Sequence, residues 1–208
     1  MGGQPILRPV REFHVAWLGR HDAVDCPIRQ GADGQVGQIG KGGGKMKKIG
    51  IISDTHSYWD NRYLTYFDPC DEIWHAGDIC STELADRLSE FRPLRAVCGN
   101  CDGGDLRLMF PEVLRFKCEE VDVLMKHIGG YPGRYDSSIA RQIYSRPPKL
   151  FISGHSHILK IQYDKTLGLL HINPGAAGLQ GWHPKRTIVR LEIDGDKFTD
   201  CEVIELGK

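Results

Sequence analysis

The chain has 208 residues, which suits one domain or one domain with a tail. Its apolar fraction of 40% and charged fraction of 26% exclude a collagen-like, coiled-coil or intrinsically disordered protein. Lysine plus arginine and aspartate plus glutamate number 27 each, so no global positive charge draws the chain to nucleic acid or anionic lipid.

The first part of the chain differs in composition from the rest. Residues 1–45 are rich in glycine and polar residues, and bury too little apolar area to offset the entropy of ordering. We interpret them as an N-terminal extension, either flexible or not native to the protein, and residues 46–208 as the folded domain. The first residues do not form a secretory signal, and no apolar run has the roughly 18 residues of a spanning helix. We therefore expect a cytoplasmic protein without a membrane partner. In that reducing compartment its seven cysteines are not expected to form a disulfide framework.

Ten short segments after Met46 have the apolar character of β-strands. They are 48–53, 72–75, 94–98, 112–117, 121–127, 149–153, 158–163, 168–172, 187–193 and 197–205. Asp194-Gly195, between the last two, is a strong β-hairpin signal.

Two segments have the pattern of helices. Residues 81–91 repeat Leu84 and Leu88 at helical spacing, with Ser81 or Thr82 as the cap, and residues 136–144 begin at a capping Asp136. The first half thus alternates strands and helices, while the second half is rich in strands. The pattern predicts two packed sheets with helices on their outer faces.

Five clusters of metal-ligand residue types stand where a predicted strand passes into a loop. They are Asp54-Thr55-His56, Gly77-Asp78, Gly99-Asn100-Cys101-Asp102, His127 and Gly154-His155-Ser156-His157. Ligands of α/β sheets gather beyond the carboxyl ends of the strands, so five such ends point to one site. Each of the first four clusters alone is more often a cap, a turn or a core histidine, and Gly-His-Ser-His alone is a stronger signal. The order and spacing of all five carry the prediction.

The ligand chemistry points to more than one metal. Carboxylates, imidazoles and an amide oxygen, with no required thiolate, suit Mn, Fe, Zn or Ni. Seven candidate ligands are too many for one tetrahedral zinc, and suit two metals that share a carboxylate and clamp an in-line displacement at phosphorus. The candidates are Asp54, His56, Asp78, Asn100, His127, His155 and His157.

Together the five clusters resemble the signature of the calcineurin-like metallophosphoesterases, and the Gly-Asn-Cys-Asp variant is similar to their small single-domain YfcE-type phosphodiesterase branch. The resemblance covers Met46 to about Leu206. It implies an α/β fold, a four-layer αββα sandwich of two mixed β-sheets packed face to face and flanked by helices. It also implies a phosphodiesterase that hydrolyses phosphate esters by in-line attack of a hydroxide bridging two divalent metals.

The resemblance also assigns the ligands. One metal would be held by Asp54, His56, Asp78 and His157. The other would be held by Asp78, Asn100, His127 and His155, with Asp78 as the bridge. Manganese is the expected metal, with iron, zinc and nickel as alternatives.

One position departs from the larger members of the superfamily. They have Gly-Asn-His, with the histidine placed to bind phosphate or protonate the leaving group, whereas this chain has Cys101. A thiol is a weak general acid, which favours esters whose leaving group needs little protonation. Cys101 is alternatively a small filler beside the site. Asp102 is expected to hold a water or the amides of its turn.

Residues outside the clusters carry further expectations. His75 is expected to be buried, Asn173-Pro174-Gly175 to form a turn near the site, and His183 and Arg186 to lie in a solvated loop rather than reach phosphate. Residues 131–134 are interpreted as a substrate lid.

Two other functions compete with the phosphodiesterase. A binding scaffold of the same fold, similar to a eukaryotic retromer subunit with a degraded metal site, is disfavoured because all seven ligand positions are filled. A two-metal nuclease is disfavoured because the chain is neutral and has no evident basic stripe. We expect a small phosphate-ester substrate and no nucleic acid partner, and leave a homodimer or higher homo-oligomer open.

Overall fold

A computed structural model describes residues 46–207 of the chain. The strands and helices of this part are β1 (Lys47–Ile52), α1 (Arg62–Phe67), β2 (Glu72–His75), α2 (Thr82–Phe91), β3 (Leu94–Ala96), α3 (Gly104–Met109), β4 (Val113–Cys118), β5 (Val121–Lys126), β6 (Gly130–Tyr131), β7 (Arg134–Tyr135), α4 (Ser137–Ser145), β8 (Leu150–Ile152), β9 (Leu159–Asp164), β10 (Leu169–Pro174), β11 (Arg186–Asp194) and β12 (Lys197–Gly207).

Ten of the strands form two mixed five-stranded sheets. The first has the order β12-β11-β1-β2-β3, in which β1, β2 and β3 are parallel and β11 and β12 run antiparallel to their neighbours. The second has the order β4-β5-β8-β10-β9, with a parallel centre of β5, β8 and β10 and antiparallel edges. Strands β6 and β7 form a separate short ribbon.

Three apolar clusters separate four layers. The largest lies between the two sheets and includes Ile49, Ile51 and Val123. The second lies between the first sheet and its helices, and the third packs Ile139 and Ile143 of α4 on the second sheet. Buried side chains of a strand alternate between its two faces, so each sheet has apolar residues on both sides. The predicted αββα sandwich is confirmed.

The two predicted helices are present, and their caps are as expected. The backbone N–H of Leu84 donates to Ser81 Oγ at 3.2 Å, and that of Ser138 donates to Asp136 Oδ1 at 2.9 Å. Helices α1 and α3 were not predicted. Each has six residues, too few for the apolar period of a helix to show in the sequence.

The expectations for residues outside the clusters have mixed outcomes. His75 is fully buried, as predicted. The expectation of a solvated Arg186 was wrong, because only 2% of its surface is exposed. Its Nη2 atom lies 2.8 Å from Asp60 Oδ2, and its Nε donates to the carbonyl of Ala177 at 2.6 Å. A carboxylate distant in sequence and a carbonyl compensate the burial of this cation at Nη2 and Nε, while its buried Nη1 has no hydrogen-bond partner.

The predicted extension, residues 1–45, lies outside the described residues and stays a prediction. Deleting residues 1–45 is expected to leave the melting temperature and the activity of the protein unchanged, because the compositional break at Met46 predicts that the domain does not need them. Thermal unfolding and turnover of both chains measure this. A steep fall in either quantity would place the domain boundary elsewhere.

Among the helices of residues 46–207, none has the length and apolarity needed to cross a membrane.

Candidate metal centre

The seven predicted ligands come together where the carboxyl ends of the two sheets meet. They follow the parallel strands β1, β2 and β3 of the first sheet and β5 and β8 of the second. Their donor atoms form two groups, each with all its atoms within 4.8 Å of one another. One group is Asp54, His56 and His157, and the other is Asp78, His127 and His155. The oxygen of Asn100 joins the second group, since its Oδ1 lies 3.1 Å from His127 Nε2.

The first group is centred on Nε2 atoms and a buried carboxylate. Nε2 of His157 lies 3.2 Å from Asp54 Oδ1 and 3.2 Å from Nε2 of His56. Asp54 is fully buried, and both of its oxygens accept the backbone N–H of His155 at 3.2 Å. The carboxylate of Asp54 is therefore fixed by the loop that carries His155 and His157.

Asp78 lies between the two groups. Its Oδ2 is 3.2 Å from His127 Nε2 and 3.9 Å from His56 Nε2, while its Oδ1 accepts the backbone N–H of Cys101 at 2.8 Å. Asp54 Oδ1 also comes within 3.9 Å of His127 Nε2. Each carboxylate thus has one oxygen that faces imidazoles of both groups. They differ in that this oxygen of Asp54 also accepts the backbone N–H of His155, whereas the backbone N–H at Asp78 is accepted by its other oxygen, Oδ1.

The ligand loops have an unusual backbone. Five of the seven candidates have positive φ: Asp54 at 53°, His56 at 45°, Asp78 at 55°, His155 at 67° and His157 at 58°. Residues other than glycine rarely adopt this region, and strain of this kind gathers at functional sites. Backbone hydrogen bonds between loops hold it, since Asp54 N–H donates to Gly77 O and His56 N–H to Asp78 O, each at 3.0 Å.

Glycine is required beside two of the ligands. A Cβ at Gly99 would lie 2.1 Å from Asp78 Oδ1, and one at Gly77 would lie 2.6 Å from His127 Nδ1. Both distances are shorter than van der Waals contact. The glycines that precede Asp78 and Asn100 in the sequence thus allow neighbouring loops to approach the ligands closely.

The electrostatics of the site favour a cation. Burial lowers the pKa of His127, but its hydrogen bond with Asp78 and the charge of Asp54 outweigh burial and raise it above its ordinary value. The hydrogen bond with Asp54 likewise raises the pKa of His157. Burial would raise the pKa of Asp78, yet His127 and the N–H of Cys101 hold it well below its usual range. The buried carboxylates that favour imidazolium also favour a divalent cation, so the donor set fits the metals that the sequence predicts.

Hydrogen bonds from residues outside the two donor groups orient the ligands and their loops. The carbonyl of Ala76 lies 2.8 Å from Nδ1 of His127; with the proton on Nδ1, Nε2 keeps its lone pair. Asn173 donates from Nδ2 to the carbonyl of Gly154 at 2.8 Å and to Ser156 Oγ at 3.1 Å. It thereby holds the loop that bears His155 and His157. The sequence had shown Asn173 only as part of a turn.

Buried His75 forms hydrogen bonds with two of the ligand loops. Its Nδ1 accepts the N–H of Gly77 at 3.2 Å, and its Nε2 therefore carries the proton and donates to Thr55 Oγ1 at 3.0 Å. Burial lowers the pKa of His75 to about 4. A neutral imidazole thus connects the loops after β1 and β2.

Asp102 and two cysteines surround the ligands. Both oxygens of Asp102 accept backbone N–H groups, from Cys80 and from Gly99, each at 2.7 Å. Asp102 thus holds turn amides, one of the two roles expected for it, and Cys101 is exposed. Cys80, which the sequence analysis did not single out, has its Sγ 3.7 Å from His56 Nδ1. Its position two residues after Asp78 was the available signal.

Comparison with known proteins supports the same family. The model of the calcineurin-like phosphoesterase superfamily domain matches residues 46–196. A protein of Methanothermobacter thermautotrophicus named "Probable metallophosphoesterase" is 32% identical over 168 residues, covering 76% of this chain and 92% of its own. One of Methanocaldococcus jannaschii with a similar name is 31% identical over 159 residues, covering 73% of this chain and 78% of its own.

Solved structures show the same fold. A structure described as that of a novel archaeal phosphodiesterase has a TM-score of 0.60 and 24% identity, and the match covers 76% of this chain and 99% of that one. Vps29 of Entamoeba histolytica complexed with zinc has a TM-score of 0.60 and 18% identity, with 76% and 98% covered. From the family model and the two archaeal relatives, the chain belongs to the calcineurin-like phosphoesterase superfamily.

Proposed function

We propose that this protein is a metal-dependent phosphodiesterase whose seven converging residues hold two divalent cations. One observation carries the proposal: two separate donor groups meet at Asp78, whose Oδ2 faces His127 at 3.2 Å and His56 at 3.9 Å. A shared carboxylate between two donor groups is the arrangement of two-metal phosphoester hydrolysis. The expected substrate is a small phosphate ester.

The donor set favours borderline metals. Both groups consist of carboxylate oxygens and imidazole nitrogens, joined by the amide oxygen of Asn100. Such sites suit Mn, Fe, Zn or Ni, and we propose manganese. When bound, two such cations supply a nucleophile at neutral pH and stabilise the charge on the phosphoryl oxygens.

The residues of the chain position the donors and the substrate. The Ala76 carbonyl orients the imidazole of His127, and Asn173 holds the backbone of the loop that bears His155 and His157. Cys101 lies at the open side of the site, and burial followed by the charge of nearby carboxylates raises its thiol pKa. A thiol is a weaker general acid than the imidazolium of a histidine. The leaving group has to depart with little help from this residue.

Replacing Cys101 with histidine is expected to raise kcat/KM for an alkyl phosphodiester by roughly tenfold or more, and to leave an aryl diester nearly unchanged. General acid assistance is worth about 10²–10⁴-fold, and it matters most for alkoxide leaving groups. Cys101 is exposed, so an imidazole has space. Rates with one alkyl and one aryl diester measure the effect.

Cys101→Ser is the matched control, because it keeps a small side chain with no imidazole. Asp102 is not available to orient the new histidine, since both of its oxygens accept backbone N–H groups. An equal decline of kcat/KM for both diesters in Cys101→His would identify Cys101 as filler. It would contradict the view that residue 101 influences which leaving groups the enzyme accepts.

The central experiment is metal add-back. Protein stripped with a chelator is supplied with Mn²⁺, Fe²⁺, Zn²⁺, Ni²⁺ or Mg²⁺ and assayed on bis(p-nitrophenyl) phosphate, p-nitrophenyl phosphate and single-stranded DNA. We expect Mn²⁺ to restore diester hydrolysis. The variant His56→Ala/His157→Ala, prepared identically, controls for contaminating hydrolases. Absence of turnover with every metal would favour the scaffold, and turnover of DNA alone would favour the nuclease.

A further inference from the structure

A cavity of about 540 Å³ adjoins the candidate centre on the side of His155. One wall is the ligand loop Gly154–Ser156, and another is the β6–β7 ribbon, which contains the residues interpreted from the sequence as a lid. A group attached to a phosphate at the metal centre would enter this cavity directly, because His155 belongs to both.

Two cations line the cavity, Arg134 from β7 and Lys160 from β9. Within residues 46–207 neither side chain forms an ion pair with a carboxylate. The one acidic residue in the lining is Asp136, which already accepts the N–H of Ser138 as the cap of α4. Asp136 offsets one of the two positive charges, so the side chains of Arg134, Lys160 and Asp136 leave the lining with an excess of one positive charge.

Lys160 is partly removed from water. It is half-buried, and its Nζ lies 3.6 Å from the centroid of the Tyr131 ring. Burial and then the charge of Lys160 lower the pKa of His171, which lines the same cavity, to about 3. A partly desolvated ammonium without a carboxylate partner costs free energy unless an anion meets it.

A second cavity of about 590 Å³ shares His155, Ser156 and Ile158 with the first. Its other walls include Leu159 and the exposed ring of Trp182. Its one lysine, Lys185, is paired with Glu205 at 2.8 Å. Cationic side chains without a carboxylate partner thus line the first cavity, whereas the lysine of the second cavity is paired.

We propose that the cavity beside His155 binds a second anionic group of the substrate, so the substrate is a phosphate ester that carries a further phosphate or carboxylate. The guanidinium of Arg134 and the ammonium of Lys160 are the binding groups. Arginine offers a planar pair of donors for an oxyanion, and lysine offers a point charge. This inference rests on the proposed function, because it assumes that the scissile phosphate binds at the metal centre.

The test compares inhibitors with one and two anionic groups. Mn²⁺-loaded full-length protein hydrolyses bis(p-nitrophenyl) phosphate in the presence of alkanediol bisphosphates of two to six carbons, or of the matching alkyl monophosphates. Omega-carboxyalkyl phosphates form a third series that distinguishes a carboxylate from a phosphate. The quantity compared within each protein is the ratio of the inhibition constants of the singly and doubly anionic compounds.

We expect a ratio of roughly tenfold at the best chain length for the wild type, since a hydrogen bond to a charged group contributes this much. The ratio should fall toward one in Lys160→Met and in Arg134→Gln. It should persist in the control Lys117→Met, which removes an exposed lysine outside the cavity.

A ratio near one at every chain length in the wild type, or an undiminished ratio in both cavity variants, would overturn the proposal. Preference for one of the two doubly anionic series would identify the second group and support it. Turnover of bis(p-nitrophenyl) phosphate, which has no second anion, reports separately on the proposed function.

Discussion

Asp78→Asn is expected to lose both bound metals and to lower kcat/KM for phosphodiesters by at least roughly 10³-fold, on the scale of several kcal/mol of charge stabilisation. The substitution keeps the size of the side chain and removes its charge. Because Oδ2 of Asp78 faces His127 in one donor group and His56 in the other, the loss should extend to both groups. Elemental analysis of the purified protein and steady-state kinetics measure the two effects.

The comparison with His157→Ala makes the result specific. His157 belongs to one group only, with Nε2 at 3.2 Å from Asp54 Oδ1, so its removal should weaken mainly one metal. Asp86→Asn, an exposed carboxylate on α2, is the control for loss of charge alone. An inactive Asp78→Asn protein that retained two metals would contradict the bridging assignment.

Arg186→Met should destabilise the fold by about 3 kcal/mol and lower Tm by roughly 6–12 °C, because it leaves a buried carboxylate without one of its partners. Arg186 is 2% exposed and lies 2.8 Å from Asp60 Oδ2. It also donates to the carbonyl of Ala177, whose own N–H donates to Ser53 next to Asp54. The loop behind the first donor group therefore depends on this cation.

Arg190→Met is the matched control for Arg186→Met. Arg190 pairs with Glu202 on the surface, where 31% and 39% of the two side chains are exposed. Such pairs contribute about 0–1 kcal/mol. Thermal unfolding of both variants with and without added metal measures the difference. Equal changes in Tm would show that the buried pair has no special weight.

The pair of Asp60 and Arg186 also predicts a pH dependence of stability. Burial would raise the pKa of Asp60, but hydrogen bonds from Arg62 and Arg186 outweigh it and hold the pKa well below its usual range. A depressed folded pKa gives stability that is present above the unfolded value of about 3.9 and is lost as the pH falls toward the folded one. The difference in Tm between wild type and Arg186→Met should thus shrink from pH 6 to pH 3. A constant difference would contradict the assignment.

Local signals in the sequence determined much of the architecture. Local patterns include the short apolar runs of the strands, the caps Ser81 and Asp136 and the hairpin at Asp194-Gly195. They involve residues that are near each other in the chain, so a short window contains them. The order of the five ligand clusters likewise indicated the family and the edge of the sheets where the site lies. The sequence could not show α1 or α3, because six residues are too few for the apolar period of a helix to be recognised.

Only the tertiary structure decided how the ligands and their supports meet. His56 and His157 are 101 residues apart and follow strands of different sheets, so their contact exists only once the two sheets have packed together. Asp60 and Arg186 are 126 residues apart, and they meet only once β11 has paired with β1. The positive φ angles of the ligand loops depend on hydrogen bonds between those loops, which no single segment specifies. The same holds for the cavity of Lys160, because two strands and a ribbon from separate parts of the chain enclose it. Residue types and their order are local properties, whereas convergence and charge balance arise from packing between distant segments.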